Sequence, residues 1–187
     1  MKVLITGGAG YIGNVLTREL LKNNYKVTII DNFGYNQQAS LLSISKDKNL
    51  EIIKSDVRNL DILNNEIKKH DVIIPLAAVV GAPACDLNPK LATEINLDQI
   101  KNIKKIIHKD QIILLPVTNS GYGIGKKDIY CDETSDLNPI SHYGKTKVDS
   151  EKVISDLENF VSLRLATVFG VSSRMRVDLL VNDFVYK

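Results

Sequence analysis

The chain has 187 residues, of which 44% are hydrophobic and 25% are charged, a balance typical of a globular domain with a packed core. Its formal net charge is only +2 at pH 7 and like charges do not form long runs, so we expect no nucleic-acid partner. Because the apolar stretches are too short to span a bilayer and the N-terminus lacks a signal-peptide pattern, we expect no membrane association and a cytoplasmic location.

Short runs rich in β-branched residues alternate with longer helical patterns along the chain. Strands are predicted over residues 2–7, 26–31, 50–56, 71–78, 111–118 and 160–170. Helices are predicted over residues 11–23, 35–46, 59–69, 89–108 and 139–158, the last with Asn138 as its N-cap, and helical spacing returns over 177–185. This alternation predicts an α/β fold with a doubly wound parallel sheet of the Rossmann type, covered by helices on both faces.

A cluster of glycines lies between the first predicted strand and the first predicted helix. Gly7, Gly10 and Gly13 are spaced GxxGxxG, and Gly8 is additional. Glycine at these three positions permits a tight turn, a close approach of the backbone to a pyrophosphate, and close packing of helix and strand. The helix N-terminus adds free N–H donors and a partial positive charge. The pattern predicts a dinucleotide-binding turn; the alternative is a turn that needs glycine for its conformation alone.

An acidic residue, Asp31, ends the second predicted strand. A carboxylate at this place accepts hydrogen bonds from an adenosine ribose and repels a 2′-phosphate. The two residues that follow, Asn32 and Phe33, offer no arginine to reverse that preference. The cofactor is therefore predicted to be NAD rather than NADP.

A tyrosine and a lysine lie four residues apart on the predicted helix 139–158, and Tyr143 and Lys147 therefore share one face of it. A phenol with its ordinary pKa of about 10 is a poor base at neutral pH, but a neighbouring ammonium group lowers the pKa of the phenol. The pair is thus predicted to act in proton abstraction from a sugar alcohol. The alternative is a solvated Tyr and Lys on an exposed helix face.

The segment TGGAGYIG (6–13) resembles the extended short-chain dehydrogenase/reductases, especially the nucleotide-sugar epimerases and dehydratases. The resemblance covers the whole chain, because further segments match that family in the same order. These segments are SDVRN (55–59), PLAAVVGAP (75–83), EINLDQ (94–99), TNSGYG (118–123), YGKTK (143–147) and RLATVFG (164–170).

The resemblance implies roles for particular residues. Tyr143 would be the catalytic base, Lys147 would also hold the nicotinamide ribose, and Thr118 would hydrogen-bond the reacting oxygen, with Ser120 as the alternative. Candidate substrate contacts are Gly81, Thr118, Asn119, Ser120 and Thr167. The NAD contacts are predicted at Gly7, Gly10, Tyr11, Ile12, Gly13, Asp31, Asn32, Asp56, Val57, Leu76, Ala77, Ala78, Asn96, Tyr143 and Lys147.

Three departures from the family pattern bear on the reaction and the domain organisation. Sugar 4,6-dehydratases typically carry Thr-Asp-Glu where this chain has Thr118, Asn119 and Ser120, which speaks against water elimination. Thr167 stands where many epimerases have an asparagine that contacts the nucleotide sugar. Family members are usually much longer. We therefore expect residues 1–170 to form an NAD-binding domain with the catalytic helix, and 171–187 to begin a largely absent, apparently truncated substrate region.

The predicted function is that of an NAD-dependent nucleotide-sugar 4-epimerase, with hydride transfer at a sugar hydroxyl and a keto intermediate. Alternatives are an NAD-dependent sugar dehydrogenase or reductase, a 4,6-dehydratase, and a non-catalytic NAD-binding module. A homodimer formed through helices 89–108 and 139–158 is also predicted, since the family often pairs these helices. Cys85 and Cys131 show no metal-ligand spacing, and no metal site is predicted.

Overall fold

The computed structural model describes residues 1–125 and 130–187, and its central feature is a six-stranded parallel sheet. The strands are β1 (Lys2–Thr6), β2 (Lys26–Asp31), β3 (Leu50–Lys54), β4 (Val72–Pro75), β5 (Ile112–Thr118) and β6 (Phe160–Leu165). Their order in the sheet is β3-β2-β1-β4-β5-β6.

Helices cover both faces of this sheet. They are α1 (Tyr11–Lys22), α2 (Leu60–Ile67), α3 (Ala82–Leu87), α4 (Pro89–Thr93), α5 (Gln99–Ile106), α6 (His142–Ile154) and α7 (Leu180–Tyr186). A π-helical segment (Glu94–Asp98) joins α4 to α5, and short 3₁₀ turns span Gln38–Leu41 and Asn119–Tyr122. In the described part of the chain, no helix is both long and apolar enough to cross a bilayer.

The chain changes direction across the sheet at β1. Val3 of β1 pairs with Val27 of β2 on one side and with Val72 of β4 on the other. The strands β2 and β3 extend the sheet one way, and β4 to β6 extend it the other way. The carboxyl ends of β1 and β4 therefore form the switch point at which doubly wound sheets bind ligands. The predicted fold class is confirmed.

Alternation along the strands divides the core into two layers. Leu4 of β1 faces a cluster that includes Leu63 of α2, Ile100 of α5 and Ile154 of α6, all at most 1% exposed. Val3 and Ile5, on the opposite face of β1, belong to a second cluster under α1. Both faces of the sheet are therefore buried at β1, and the loop that follows this strand starts from a well-packed core.

The predicted helix over 35–46 is wrong. The structure has only a 3₁₀ turn at Gln38–Leu41, followed by further turns. Phe33 and Asn36 each have a φ of 54°, in the left-handed region that does not continue into a helix. The Asp31 carboxylate also accepts hydrogen bonds from Phe33 N and Gln37 Nε2, and these bonds bend this segment around the end of β2.

Other predicted boundaries are shifted. The helix predicted over 139–158 begins at His142, and its N-cap is Ser141, whose Oγ accepts a hydrogen bond from Gly144 N at 3.0 Å. Asn138 instead donates its backbone N–H to Gly121 O at 2.9 Å, so it is held by the preceding loop. The helix predicted over 89–108 is interrupted by the π segment, and α3 was not predicted. The strands predicted to 78 and 170 end at Pro75 and Leu165.

Helical spacing near the end of the chain corresponds to α7. The apolar side chains on which that pattern rests, Leu180, Phe184 and Val185 among them, are exposed. The residue of α7 that is buried is polar, Asn182, at 3% exposure. Asn182 therefore ties α7 to the preceding segment and to Tyr11 by hydrogen bonds.

Candidate active site

The turn after β1 requires glycine at its first position. Gly7 has a φ of +74°, and a Cβ atom there would lie 2.6 Å from the backbone nitrogen of Ala77. Its N–H donates to Ile30 O at 2.8 Å, and its carbonyl accepts a hydrogen bond from Gly10 N at 3.1 Å. Gly7 thus joins β1, β2 and the loop after β4 at one point, and a side chain would separate them.

The other glycines of the turn permit close packing, with a division of roles that the spacing did not predict. A Cβ atom on Gly13 would collide with the carbonyl oxygen of Gly7, so Gly13 lets α1 lie on the turn itself. A Cβ atom on Gly8 would collide with the side chain of Ile29 in β2. Gly13 thus brings α1 close to the residues that directly follow β1, and Gly8 brings the turn close to β2.

The N-terminus of α1 offers free N–H groups. Gly10 is its N-cap and has no side chain to cap the helix, and the first turn, which starts with Tyr11 and Ile12, contains no acidic residue. Among residues 1–125 and 130–187, a Cβ atom on Gly10 would meet only Gly7 O within 4 Å, at 3.1 Å. The donor set and the helix dipole fit an anion such as a pyrophosphate.

Asp31 lies beside this turn and is 5% exposed. Its Oδ2 accepts a hydrogen bond from Ala9 N at 3.0 Å, and its Oδ1 accepts from Phe33 N at 2.8 Å and Gln37 Nε2 at 3.1 Å. Burial raises the pKa of Asp31, and the bonds from Phe33 and Ala9 oppose that increase. Because a carboxylate has about four acceptor sites, these three bonds leave capacity for a ribose hydroxyl.

Asp56, after β3, is paired with an arginine. Arg58 Nε and Nη2 donate to the two oxygens of Asp56 at 2.9 and 3.0 Å, and Asn32 Nδ2 donates to Asp56 Oδ2 at 3.3 Å. The hydrogen bond from Arg58 is the main reason why the pKa of Asp56 is lowered to about 2. The structure thus brings two predicted cofactor contacts, Asn32 and Asp56, together at the ends of β2 and β3.

A cavity of about 300 Å³ opens next to Val57 and extends to the π segment and α5. The side chain of Val57 is 6% exposed and belongs to the core. Tyr143, Lys147 and Thr118 do not line this cavity, which lies beside the predicted NAD contact Val57. The other lining residues are Arg58, Leu60, Glu94, Asp98, Gln99 and Asn102.

The loop after β4, which contains the predicted contacts Leu76, Ala77 and Ala78, is held by two residues that sequence reasoning missed. Thr6 Oγ1 accepts a hydrogen bond from Ala77 N at 3.2 Å and donates to Gln99 Oε1 at 2.8 Å. Gln99 Nε2 in turn donates to Ala77 O at 3.2 Å. A polar Gln99 within the apolar helix pattern was the available signal.

Asn96 fastens the same loop to α6. Its side chain exchanges two hydrogen bonds with the backbone of Val79, and its Nδ2 also donates to Thr146 Oγ1 at 3.2 Å. Asn96 is 2% exposed. It acts on the site through Val79 and Thr146, and its direct contact with a cofactor stays a prediction.

Thr118 ends β5 and is 7% exposed. Its Oγ1 accepts a hydrogen bond from Ser120 N at 3.1 Å and donates to Ser120 Oγ at 3.1 Å. Thr118 and the alternative Ser120 are therefore hydrogen-bonded neighbours, with Thr118 buried and Ser120 exposed. Asn119, between them, is also exposed.

The first turn of α6 packs directly on the 3₁₀ turn that follows Thr118. A Cβ atom on Gly144 would lie 3.2 Å from Ser120 O, and one on Gly121 would lie 2.8 Å from Val148 Cγ2. Glycine at these two positions brings Tyr143 close to the end of β5. Lys147, one helical turn further along α6, is 5% exposed.

Burial is the main cause of the pKa shifts of Tyr143 and Lys147, two of the ionisable residues of α6. Burial raises the pKa of Tyr143, with a smaller contribution from Cys85, while the Thr118 hydroxyl and Arg176 lower it. Burial also lowers the pKa of Lys147 to about 8. Within the protein's own residues, the pKa of the phenol is therefore raised rather than lowered as predicted, because desolvation dominates and Lys147 is not among the groups that shift it.

Two predicted substrate contacts, Gly81 and Thr167, lie in the segments that follow β4 and β6. Gly81 has a φ of +90° and is the N-cap of α3, where its carbonyl accepts a hydrogen bond from Cys85 N at 3.2 Å. Thr167 is exposed and lies beyond the end of β6. Their roles stay predictions.

A doubly wound sheet with an uncapped glycine turn at its switch point defines a dinucleotide-binding α/β protein. Residues 3–185 match the NAD dependent epimerase/dehydratase family, and the chain belongs to that family. The resemblance stated from the motifs is confirmed, and so is NAD as the cofactor of the family.

Known relatives agree with this assignment. The chain is 33% identical over 167 residues to a UDP-glucose 4-epimerase of Cyamopsis tetragonoloba, covering 83% of this chain and 47% of the relative. It is 28% identical over 176 residues to a putative UDP-glucose 4-epimerase of Methanocaldococcus jannaschii, covering 90% of this chain and 56% of the relative. The chain thus spans about half the length of these curated relatives.

A solved structure extends the similarity to almost the whole chain. The crystal structure of UDP-glucuronic acid 4-epimerase from Bacillus cereus in complex with NAD matches with a TM-score of 0.84 at 29% identity. The match covers 99% of this chain and 61% of that one.

Proposed function

We propose that this protein acts as an NAD-dependent nucleotide-sugar 4-epimerase. The observation that carries the proposal is the convergence of the glycine turn and the Tyr143–Lys147 helix on one loop, residues 76–80. Gly7 lies against Ala77 at the start of that loop, with no room for a side chain. A dinucleotide seated on the turn would therefore extend toward the helix that carries the phenol and the amine.

The other end of the loop connects to α6. Asn96 binds the backbone of Val79 and, through Thr146, the helical turn that contains Lys147. One rigid unit thus contains the turn that would hold the diphosphate and the side chains that would face the nicotinamide. This connection supports the predicted cofactor contacts better than the motif spacing alone does.

The residues present fit NAD. The uncapped N–H groups of α1 suit its diphosphate, and Asp31 keeps acceptor capacity for a ribose hydroxyl beside the turn. The buried ammonium of Lys147, a donor of three hydrogen bonds, suits the hydroxyls of the second ribose. When bound, NAD supplies the acceptor for the hydrogen at the sugar carbon.

The protein's own residues would manage the proton. Tyr143 would take the proton from the sugar hydroxyl through its phenolic oxygen and later return one. The hydroxyl of Thr118 lowers the pKa of Tyr143. Thr118 would also hydrogen-bond the reacting oxygen of the sugar and hold it in place. The buried charge of Lys147 would orient the ribose next to the phenol.

The relatives favour epimerisation of a UDP-sugar over the other reactions of the family. The relatives reported above are a UDP-glucose 4-epimerase and a putative one, and the matched crystal structure is of UDP-glucuronic acid 4-epimerase. Asn119 and Ser120 replace the acids that a 4,6-dehydratase typically carries.

We also propose residues 1–170 as the NAD-binding domain.

Tyr143→Phe tests the proposal. We expect conversion of UDP-glucose to its 4-epimer to fall by about 10²- to 10⁴-fold, with the NAD dissociation constant changed by no more than about twofold, since the ring remains. Tyr130→Phe, at a side chain that is 95% exposed, is the matched control. Undiminished conversion by Tyr143→Phe would refute the catalytic assignment, and failure of the unmodified chain to bind NAD would refute the proposal as a whole.

We further propose a homodimer in which α4 to α6 pair with the same helices of a second copy. These helices already pack on each other within the chain, where Lys104 Nζ donates to Asp156 at 2.6 Å. Sedimentation equilibrium measures the assembly directly. A monomer at micromolar concentration would contradict the proposed pairing.

A further inference from the structure

The residues that follow β6 return to the N-terminus of α1. Asn182 Nδ2 donates to the hydroxyl of Tyr11 and to Arg176 O, both at 2.9 Å, and its Oδ1 accepts a hydrogen bond from Gly170 N at 3.0 Å. The Tyr11 hydroxyl donates in turn to Gly170 O at 2.7 Å. One buried side chain, that of Asn182, therefore closes residues 170–182 into a loop and ties that loop to the first residue of α1.

A second set of hydrogen bonds docks the same loop along α1. Ser172 Oγ donates to Tyr11 O at 2.8 Å and accepts from Asn14 Nδ2 at 2.9 Å. One turn further along, Arg18 Nη2 donates to Ser173 Oγ at 2.8 Å. The position of the loop relative to the glycine turn is therefore fixed by contacts at both ends.

This docking brings a positive charge to the candidate site. Arg176 is held through its carbonyl next to Tyr11, and its guanidinium forms a two-point pair with Asp178, at 2.7 and 2.6 Å. Asp178 raises the pKa of Arg176, and the phenols of Tyr35 and Tyr11 add to the increase. Arg176 in turn lowers the pKa of Tyr143. Its charge thus acts on the phenol of Tyr11 in α1 and on the phenol of Tyr143 in α6.

We propose that Arg176 binds a diphosphate group of a ligand at the N-terminus of α1, and that Asn182 is the residue that positions it. The inference rests on the proposed function and deepens it. Asp178 is a weak competitor for the guanidinium, because its side chain is 63% exposed and solvent-exposed pairs contribute little. A diphosphate carries more charge and accepts the same planar fork of donors.

The diphosphate could belong to the dinucleotide or to the nucleotide sugar, so the experiment has two arms. Dissociation constants of NAD and of UDP are measured by calorimetry for the unmodified chain, Arg176→Gln and Arg174→Gln. Arg174→Gln is the matched control, because it removes the same charge two positions away. The Arg174 side chain donates to Met175 O and lies over the ring of Tyr35.

We expect Arg176→Gln to raise the dissociation constant of one of the two ligands by about tenfold. Arg174→Gln should change neither dissociation constant by more than about twofold. The ligand that is weakened identifies the source of the diphosphate. If the unmodified chain binds NAD, and Arg176→Gln binds both NAD and UDP as tightly as Arg174→Gln does, the assignment of Arg176 is refuted while the proposed function stands. If the unmodified chain binds no NAD, the proposed function fails, and this inference with it.

A double-mutant cycle tests the role of Asn182 separately. If Asn182 positions Arg176, Arg176→Gln weakens binding less in an Asn182→Ala background than in the unmodified chain. Equal losses in both backgrounds would refute the positioning role, because a purely structural effect of Asn182 adds to that of Arg176. Circular dichroism at the assay temperature confirms that each compared variant is folded.

Discussion

Asn96 binds the backbone of Val79 through both atoms of its side-chain amide. Its Oδ1 accepts a hydrogen bond from Val79 N at 2.8 Å, and its Nδ2 donates to Val79 O at 3.0 Å. Asn96 lies in the π-helical segment (Glu94–Asp98), a local widening that is common at functional sites. The widened turn presents this amide to the loop after β4 and to α6 at once.

Asn96→Asp tests this connection with an almost isosteric change. An ionised Asp would set an oxygen against Val79 O and bury a charge, so we expect a loss of about 2–4 kcal/mol in the free energy of unfolding at pH 8. At pH 4 the loss should be smaller, because a protonated carboxyl donates as the amide did and burial raises its pKa. Urea unfolding at both pH values measures the difference.

Asn102→Asp is the control for Asn96→Asp, since Asn102 lies further along the same helical stretch and is only half-buried. We expect it to change stability by no more than about 0.5 kcal/mol at either pH. Equal effects of the two variants would show that Asn96 has no special role.

Lys147→Met should stabilise the protein and abolish its proposed function. Burial lowers the pKa of Lys147 from 10.5 to about 8, so the charged amine costs the folded state about 3 kcal/mol at pH 7. Between pH 8 and 10.5 the unfolded chain binds more protons than the folded one, and the stability of the unmodified protein rises with pH. The advantage of Lys147→Met should therefore be full at pH 7 and shrink above pH 8.

Urea unfolding at pH 7 and pH 10, together with the NAD dissociation constant, checks the effect of Lys147→Met. Lys152→Met on the same helix is the control, because that side chain is 68% exposed. A destabilised Lys147→Met protein at pH 7 would mean that the ammonium contributes favourable interactions that outweigh its desolvation.

Gly7→Ala should damage both folding and cofactor binding. The position has a φ of +74°, and a Cβ atom would lie 2.6 Å from Ala77 N and 2.8 Å from Ala77 Cα, where backbone cannot easily move. We expect a loss of about 2–4 kcal/mol in the free energy of unfolding and weaker NAD binding. Gly125→Ala, where a Cβ atom meets none of the described residues within 4 Å, should be nearly neutral. Thermal unfolding compares the two, and equal melting temperatures would contradict the steric assignment.

Asp31→Asn should narrow the preference for NAD over NADP. The substitution removes the negative charge that would repel a 2′-phosphate, and its amide group would also face one of the donors Ala9 N, Phe33 N or Gln37 Nε2. The ratio of the two dissociation constants measures the effect. Asp47→Asn, in the turn before β3, removes the same charge elsewhere and should leave the ratio unchanged. If Asp31→Asn also leaves the ratio unchanged, the adenosine ribose does not lie beside the Asp31 carboxylate.

Much of the fold could be predicted because its signals are local. The apolar β-branched runs identify the strands, since a parallel sheet covered on both faces needs such strands. Gly7 could be recognised because a tight turn between a strand and a helix needs a residue without a Cβ atom. Tyr143 and Lys147 could be paired because the helical repeat alone places them on one face.

The errors arose where distant groups compete with local preference. Asn138 is a good N-cap by residue type, but the carbonyl of Gly121 holds its backbone, and Ser141 caps the helix instead. The residues after Asp31 have a helical pattern, but the buried carboxylate binds Phe33 and Gln37 and bends the chain. The pKa of Tyr143 was misjudged because burial depends on everything packed around the phenol.

The amino-acid sequence by itself determined the order of strands and helices, the glycine turn, and the residue types available for chemistry, because each depends on neighbours within a few positions. Only the tertiary structure decided that Asn96 joins Val79 to Thr146 and that Asn182 ties Arg176 to Tyr11. Those partners are far apart in the chain, and a buried amide takes whichever donors and acceptors the packed fold brings within hydrogen-bonding distance.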